Sequence, residues 1–294
     1  MDKSYVLGVD IGGSHITSAL VDIGTGDLLE GTRVRKAVDS HAGAEVVISS
    51  WTEAIAQSFS NAGLPIGKIG IAMPGPLDYE EGICWIKDQD KYEHLYGCNI
   101  KDLLSASLSI HKTDIRIMND ACCFLQGEVL GTLDKRYSRV MGFTLGTGLG
   151  SAFYQEGTVV DADLWRMPFK GSIAEEHLST RWFLNRYSAL KGREIENVKE
   201  MLQDELAEML YAEFGATLGV FLQECLKTYN PQAVVLGGNI AKSPELYLKH
   251  TEEVLESSGQ LLPISIAGKG EEAALIGAAG IWKKDLIESG LLRS

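Results

Sequence analysis

Apolar residues alternate or cluster at 5–9, 15–22 and 28–34, bounded by Gly, Asp and Thr, so the first 34 residues read as three successive strands. The period then lengthens to helical spacing at 44–59, and a short apolar run at 68–73 ends in Met-Pro-Gly-Pro. Residues 82–99, GICWIKDQDKYEHLYGCN, show no period and predict a long surface loop, a class of loop that is usually functional or mobile. A helix is expected at 100–108, and TDIRIMNDACCFLQGEVLG reads as strand, turn and helix with the switch at Asn119-Asp120.

The second half begins as the first does. RVMGFTLGTGLGSAFYQEGTVV is again strand, glycine turn and strand. A helical stretch at 172–190 and a long helix at 198–229 follow, then PQAVVLGGNIAKSPELYLKHTEEVL, a strand turning through Gly237-Gly238 into a helix. A last strand at 263–267 leads through GKGEEAALIGAAGIW into a C-terminal helix. Alternating strands and helices make this an α/β protein. The repeated hairpin predicts two related lobes with a cleft between them, an N-terminal lobe over 1–118 and a larger one over 119–280, with the helix at about 281–294 packing back on the first. The length agrees: 294 residues reach the size, about 250–300, at which a single core stops growing.

The net charge of −13 argues against a nucleic-acid partner, because such binding depends on Lys and Arg neutralising phosphates. No apolar run approaches the ~20 residues of a membrane span, so no membrane partner is expected. The opening MDKSYVLGVD has no apolar leader, which predicts a cytoplasmic location. Five cysteines without a C-x-x-C pair fit neither a disulfide framework nor a zinc site, and read as reduced thiols.

Candidate chemistry gathers at the glycine turns. Backbone approaches a phosphate closely only where no Cβ intervenes, and successive N–H groups in such a turn form an anion-binding concavity. DIGG and LGTGLGS both offer this. Gly146, Gly148 and Gly150 do not extend to a dinucleotide fingerprint, because position 151 is Ser and a strand continues; a lysine-bearing phosphate loop is absent. Asp10 beside the first turn is either a turn aspartate bonding its own backbone or a holder of Mg²⁺ through water. Asn119-Asp120 is either a helix cap or a carboxylate placed to take a proton from a hydroxyl.

The ordered set DIGGS, MPGP, ND opening a helix, LGTGLGS, VVLGGNIAKS and EEAALIGAA resembles the ROK family of sugar kinases from about residue 5 to residue 282. That resemblance implies the actin-like (ribonuclease H-like) ATPase fold shared with hexokinase, ATP and Mg²⁺ as cofactors, a sugar and a nucleotide as ligands, and a homodimer. It implies that Asp10, Gly12, Gly13 and Ser14 form the first phosphate loop, and Gly146, Thr147 and Gly148 the second. Gly237, Gly238 and Asn239 would lie against the adenosine, with 273–277 closing its other side. Asp120 would be the catalytic base, and Gly75 and Asn119 would face the sugar. The family's Glu-x-Gly-His element is replaced by DADLWRMP, which puts Asp163, Trp165 and Arg166 at its Glu, Gly and His. The zinc cysteines that follow it are missing, so no structural zinc is expected. Glu175 matches a later family glutamate that contacts the sugar; its plainer reading is an acidic first turn of a helix. His177 is expected to be no metal ligand. Trp85, Tyr92 and Tyr96 read as anchors of the long loop rather than as a sugar platform.

The expected activity is ATP-dependent phosphorylation of a hydroxyl on a hexose or hexose derivative. The altered DADLWR element keeps a sugar-binding sensor without turnover as the alternative. A polyphosphate donor is a further one. A ROK transcriptional repressor is disfavoured, since the first strand starts too early to leave room for a helix-turn-helix.

Overall fold

Strands β1 (Tyr5–Ile11) and β2 (His15–Asp22) close the first antiparallel hairpin, with Ile11 opposite Ile16. The computed structural model describes residues 5–89, 91–133 and 136–292. The strand expected over 28–34 splits into β3 (Asp27–Leu28) and β4 (Val34–Ala37), both paired with β2. Between them Gly31 takes a left-handed φ of 78°, and the Thr32 hydroxyl accepts from Leu20 N–H, so the chain bends where the apolar pattern alone reads as continuous.

Helix α1 (Ala44–Asn61) buries Val47, Ile48, Trp51, Ala54, Ile55 and Phe59 at helical spacing. Strand β5 (Ile69–Met73) then runs parallel to β1, and a short hairpin of β6 (Leu77–Asp78) and β7 (Ile83–Cys84) starts the segment read as aperiodic. Helix α2 (Ile100–Leu108), strand β8 (Ile115–Asn119, parallel to β5) and helix α3 (Asp120–Glu128) complete this part. The sheet order is β3-β2-β1-β5-β8.

The next five sheet strands repeat that plan. β9 (Arg139–Leu145), β10 (Leu149–Gln155) and β11 (Thr158–Asp161) are antiparallel neighbours. A two-stranded ribbon of β12 (Pro168–Phe169) and β13 (Ser172–Ile173) follows, then α4 (Ala174–His177), α5 (Thr180–Lys191), α6 (Val198–Met201) and α7 (Ala207–Tyr229). β14 (Ala233–Gly237) pairs parallel with β9, α8 (Pro244–Ser257) comes next, and β15 (Ile264–Ile266) pairs parallel with β14. The order β11-β10-β9-β14-β15 matches the first sheet strand for strand. The duplication therefore extends from one hairpin to five strands.

Two expected helices are broken. The stretch 172–190 becomes β13, α4 and α5, because Ser179 is extended. The stretch 198–229 breaks between α6 and α7, where the Asp204 carboxylate accepts from Leu206 N–H (3.0 Å) and from the Tyr187 hydroxyl (2.9 Å) and so competes with the helical ladder.

Helices α9 (Glu272–Gly280) and α10 (Lys283–Glu288) return to the first sheet. Cβ-less positions let α9 lie directly on backbone. A Cβ at Gly8 would stand 2.0 Å from Leu275 O, one at Gly70 1.9 Å from Ala278 O, and one at Gly277 1.7 Å from Cys123 O of α3. Trp282 Nε1 donates to Ile69 O (3.0 Å), and Lys68 and Arg116 lie over its ring. The first sheet is thus covered on both faces: Leu7, Val9 and Ile11 pack with Trp51 and Ile55, while Val6 and Val21 pack with Ile276 and Trp282. Burial on both sides explains why β1 and β2 read as nearly unbroken apolar runs.

By contacts the chain forms two compact units, Met1–Asp134 with Glu271–Ser294, and Lys135–Gly270. This moves the division expected at residues 118 and 280. α3 and α9 are held against each other by Gly127 and Gly277, so both belong with the first sheet. The second unit has its own core, with Phe143, Phe183, Phe214, Phe221 and Tyr247 at its centre. Among the described residues no helix is long and apolar enough to cross a membrane.

Candidate active site

In the first unit the carboxyl ends of β1, β5 and β8 lie side by side, in the register Asp10–Ala72–Met118, and Met73 pairs with Asn119. Ligands in open parallel sheets bind outside such ends. Asp10 is the residue before the last of β1, and Asp120 is the first of α3. Burial, and next the nearby carboxylate of Asp120, push the Asp10 carboxyl up to about 7; the Arg35 guanidinium opposes this and Glu271 adds to it. Two acids this close, one of them poorly solvated, form a place that a cation would relieve.

The first glycine turn adjoins Asp10. Gly12 N–H donates to His15 O (2.9 Å), so this amide closes the hairpin. Val38 N–H donates to Ser14 O (2.8 Å), and the Tyr92 hydroxyl donates to Gly12 O (2.5 Å). Gly13 and Ser14 are exposed, and their N–H groups are the ones this turn can offer an anion.

Asn119 caps α3: its carboxamide oxygen accepts from Ala121 N–H (2.9 Å) and Cys122 N–H (3.2 Å). Its Nδ2 donates to the Tyr79 hydroxyl (3.2 Å), which donates to Met73 O (3.2 Å). The cap reading is therefore realised by Asn119, and the Asp120 carboxylate beside it accepts from Ala121 N–H (2.9 Å). Gly75 is half-buried under the same tyrosine: a Cβ there would stand 2.8 Å from Tyr79 Oη, so Gly75 and Asn119 share one cluster.

In the second unit the corresponding turn, Gly146–Thr147–Gly148, is closed by Gly146 N–H on Gly148 O (3.1 Å) and tied by Thr180 N–H on Gly146 O (2.7 Å). Thr147 is exposed. Glu175 braces this turn: its carboxylate accepts from Leu149 N–H (3.0 Å) and pairs with Arg181. A Cβ at Gly148 would stand 2.6 Å from that carboxylate. At the end of the neighbouring β14, Gly238 adopts φ 87° and approaches Leu145 so closely that a Cβ would lie 2.3 Å from its carbonyl oxygen. Gly237 is buried in the strand, while Gly238 and Asn239 are exposed at the same sheet end as the glycine turn.

Asp163 and Arg166 sit after β11, where Leu164 N–H donates to Ser151 Oγ (2.9 Å). They form an ion pair with each other (3.0 Å), both half exposed, and Asp163 is left-handed at φ 49°. His177 contacts Ser172 Oγ (3.0 Å) and the Phe169 ring, and burial holds its pKa below the usual histidine range. Ala273, Leu275, Ile276 and Gly277 are buried where α9 meets the sheet and α3 of the first unit. Of the three loop aromatics only Tyr92 is a buried anchor, set edge-on to Trp51; Trp85 and Tyr96 are 44% and 52% exposed and face each other.

Sequence reasoning missed three participants. Arg181 pairs with Glu175 at a spacing that no helix face announces, Tyr79 ties Asn119 to β5, and Lys91 lies beside Gly13. The ligand set at Asp10 suits a magnesium ion held through water. Among the described residues no group of three or more His, Cys, Asp or Glu is placed to hold a metal, and Mg²⁺ characteristically takes one or two carboxylates and fills its shell with water and phosphate oxygens. No disulfide joins any of the five cysteines.

The chain matches the model of the ROK family over residues 6–162 and 171–285. It is similar to an N-acetyl-D-glucosamine kinase of Escherichia coli O127:H6, 26% identical over 305 residues that span 93% of this chain and 96% of that protein. Its fold is similar to that of a ROK hexokinase from Thermus thermophilus, with a TM-score of 0.80 and 23% identity over 96% of this chain and all of the other. It is also similar to an inorganic polyphosphate/ATP-glucomannokinase from Arthrobacter sp. strain KM, with a TM-score of 0.71 and 24% identity over 96% of this chain and 99% of the other.

Proposed function

The chain belongs to the ROK family and has its actin/hexokinase-like ATPase fold, and from that premise we propose that it transfers the terminal phosphoryl group of ATP to a hydroxyl of a hexose or hexose derivative. The observation that carries this reading is the pairing of Asp120 with Asp10 at the carboxyl ends of β8 and β1, parallel strands on either side of β5, next to a turn whose exposed residues Gly13 and Ser14 suit a phosphate. The kinases to which the chain is similar support phosphotransfer to a sugar, and the N-acetylglucosamine kinase makes N-acetylhexosamines as strong candidates as simple hexoses.

Within this reading Asp120 accepts the proton of the attacking hydroxyl, and its fixed start at a capped helix keeps the carboxylate aimed. In the first unit Gly13 and Ser14 donate backbone N–H groups to phosphate oxygens; in the second, taken by itself, the exposed Thr147 of the Gly146–Gly148 turn offers its N–H to an anion. Gly238 and Asn239 receive the adenosine side. Asp10 holds Mg²⁺ through water, and that ion, when bound, neutralises phosphate charge. Gly75 and Asn119, joined through Tyr79, shape the sugar side of the first unit.

The mutual ion pair of Asp163 and Arg166 favours a second reading. Side chains that satisfy each other offer less to a sugar, as in a sugar-binding protein that has lost turnover. A coupled assay of ADP release across hexoses, N-acetylhexosamines and their epimers decides: ADP formation with any of them supports the kinase. Sugar binding without ADP release in the presence of Mg-ATP would establish the second reading. Repeating the assay with polyphosphate as donor identifies the phosphoryl source.

A further inference from the structure

The segment 82–99 reaches the first glycine turn with two adjacent side chains. Tyr92 is fully buried, sits edge-on to Trp51 at 5.4 Å, and donates its hydroxyl to Gly12 O at 2.5 Å; its own N–H donates to Ser40 O (2.8 Å). Lys91 is half-buried, and its Cδ lies 3.8 Å from where a Cβ of Gly13 would stand. The ammonium, two bonds beyond Cδ, therefore belongs to the surroundings of the exposed Gly13 and Ser14. No acid among the described residues forms an ion pair with it.

The two contacts act on the same peptide group. The Gly12-Gly13 bond is trans, so its C=O and N–H point to opposite sides. Holding Gly12 O against the buried Tyr92 hydroxyl turns Gly13 N–H outward, the orientation an anion needs. Burial lifts the Tyr92 hydroxyl to about 12, so it remains a donor across the working pH range. The same sheet end carries Asp10 and Asp120, whose charges oppose a phosphate, and a lysine alongside Gly13 offsets them.

We propose that Lys91 and Tyr92 are part of the phosphate site: Lys91 binds the terminal phosphates of a triphosphate or polyphosphate through its ammonium, and Tyr92 is a positioning residue that fixes the Gly12-Gly13 peptide. This rests on the kinase reading above and extends its donor site to the long loop.

The test uses the full chain as wild type and as Lys91→Met, Lys91→Arg and Tyr92→Phe. Binding of Mg-AMPPNP and of magnesium tripolyphosphate is measured by calorimetry, alongside ADP-release kinetics and thermal unfolding. Lys91→Met keeps the stem and removes the charge. It is expected to weaken both ligands about 5- to 20-fold and to flatten the dependence of affinity on salt. Lys91→Arg is expected to restore affinity to within about threefold. Tyr92→Phe keeps the ring on Trp51 and is expected to raise the nucleotide KM about fivefold while leaving the sugar KM unchanged. Weakening of AMPPNP alone assigns Lys91 to a nucleotide donor, and weakening of tripolyphosphate alone to a polyphosphate donor. Wild-type turnover with Lys91→Met binding both ligands as wild type does would overturn the inference and leave the kinase reading standing. A loss that arginine fails to restore would overturn it as well. Absence of both ligand binding and turnover in the wild type would remove the kinase reading, and the inference with it.

Discussion

The two sheets share one strand order, yet their carboxyl ends carry different chemistry. Counted back from the last paired residues of each hairpin, Asp10 in β1 occupies the position that Thr144 holds in β9. The outermost parallel strand ends in Asn119-Asp120 in the first unit and in Ile266-Ala267 in the second. Both acids thus lie in one copy of the repeat, and the other offers only neutral groups at the same positions. The braces differ in the same sense. A neutral tyrosine hydroxyl holds the turn beside the two acids, whereas the turn without acids is held by the charged pair Glu175–Arg181. A carboxylate brace placed next to Asp10 and Asp120 would raise the local negative charge further, against a phosphate. The scaffold is present twice, and only the first copy carries the two acids to which the proposed function gives proton transfer and metal.

The largest expected effect breaks that asymmetry at its centre. Asp120→Asn is expected to lower kcat by about 10²- to 10⁴-fold in the ADP-release assay while Mg-AMPPNP affinity stays within about threefold. Near-normal turnover would remove Asp120 from the mechanism.

Asp10 gives the next effect, read without substrate or metal. Its carboxyl titrates near 7 in the folded chain against 3.8 for the ordinary group, so between those values the folded state binds the extra proton. Stability attributable to this group falls as pH rises through that window and is lowest above about 7. Asp10→Asn is therefore expected to stabilise the chain at pH 8 by on the order of 3 kcal/mol, with the gain shrinking toward pH 4. Denaturant unfolding at both pH values measures it; an equal effect at both would mean that Asp10 is not the group concerned.

The two turns are then compared directly. A Cβ at Gly148 would meet the Glu175 carboxylate at 2.6 Å, but at Gly12 its nearest neighbour is His15 O at 3.6 Å. Gly148→Ala is expected to cost about 1–2 kcal/mol of stability and Gly12→Ala less than about 1. The reverse order would show that the second turn is not braced as described.

The smallest effect concerns the charge of that brace. Glu175→Gln retains an acceptor for Leu149 N–H and loses the ion pair with the half-exposed Arg181. Global stability is expected to change by less than about 1 kcal/mol. Hydrogen exchange at Leu149 should still quicken, and an unchanged rate would show that charge is irrelevant to this turn.

Much of this was legible in local pattern. Alternation located most strands, and the glycine turns stood out because a Cβ-less pair between two apolar runs is a local signal. Glu175 was legible as an acid opening a helix, but not as a brace, since Leu149 and Arg181 reach it only after the chain has turned back on itself. α9 was hidden for the same reason. Its glycines and alanines show no amphipathic face, because they meet the β1–β5 sheet on one side and α3 on the other. The Asp163–Arg166 pair was invisible because each residue was matched to a separate sugar contact, and only the left-handed turn at Asp163 brings them together.

What the sequence by itself determined is the material of the site: two glycine turns after strands, one acid beside the first, and an acid at the start of a helix. Each is a property of a few consecutive residues, governed by backbone sterics and local hydrogen bonding. Only the tertiary structure decided which copy of the repeat each late element joined, which side chains hold the turns, and how far Asp10 is pushed toward a neutral carboxyl. Those outcomes depend on burial and on charges brought close from distant parts of the chain, and no local pattern records either.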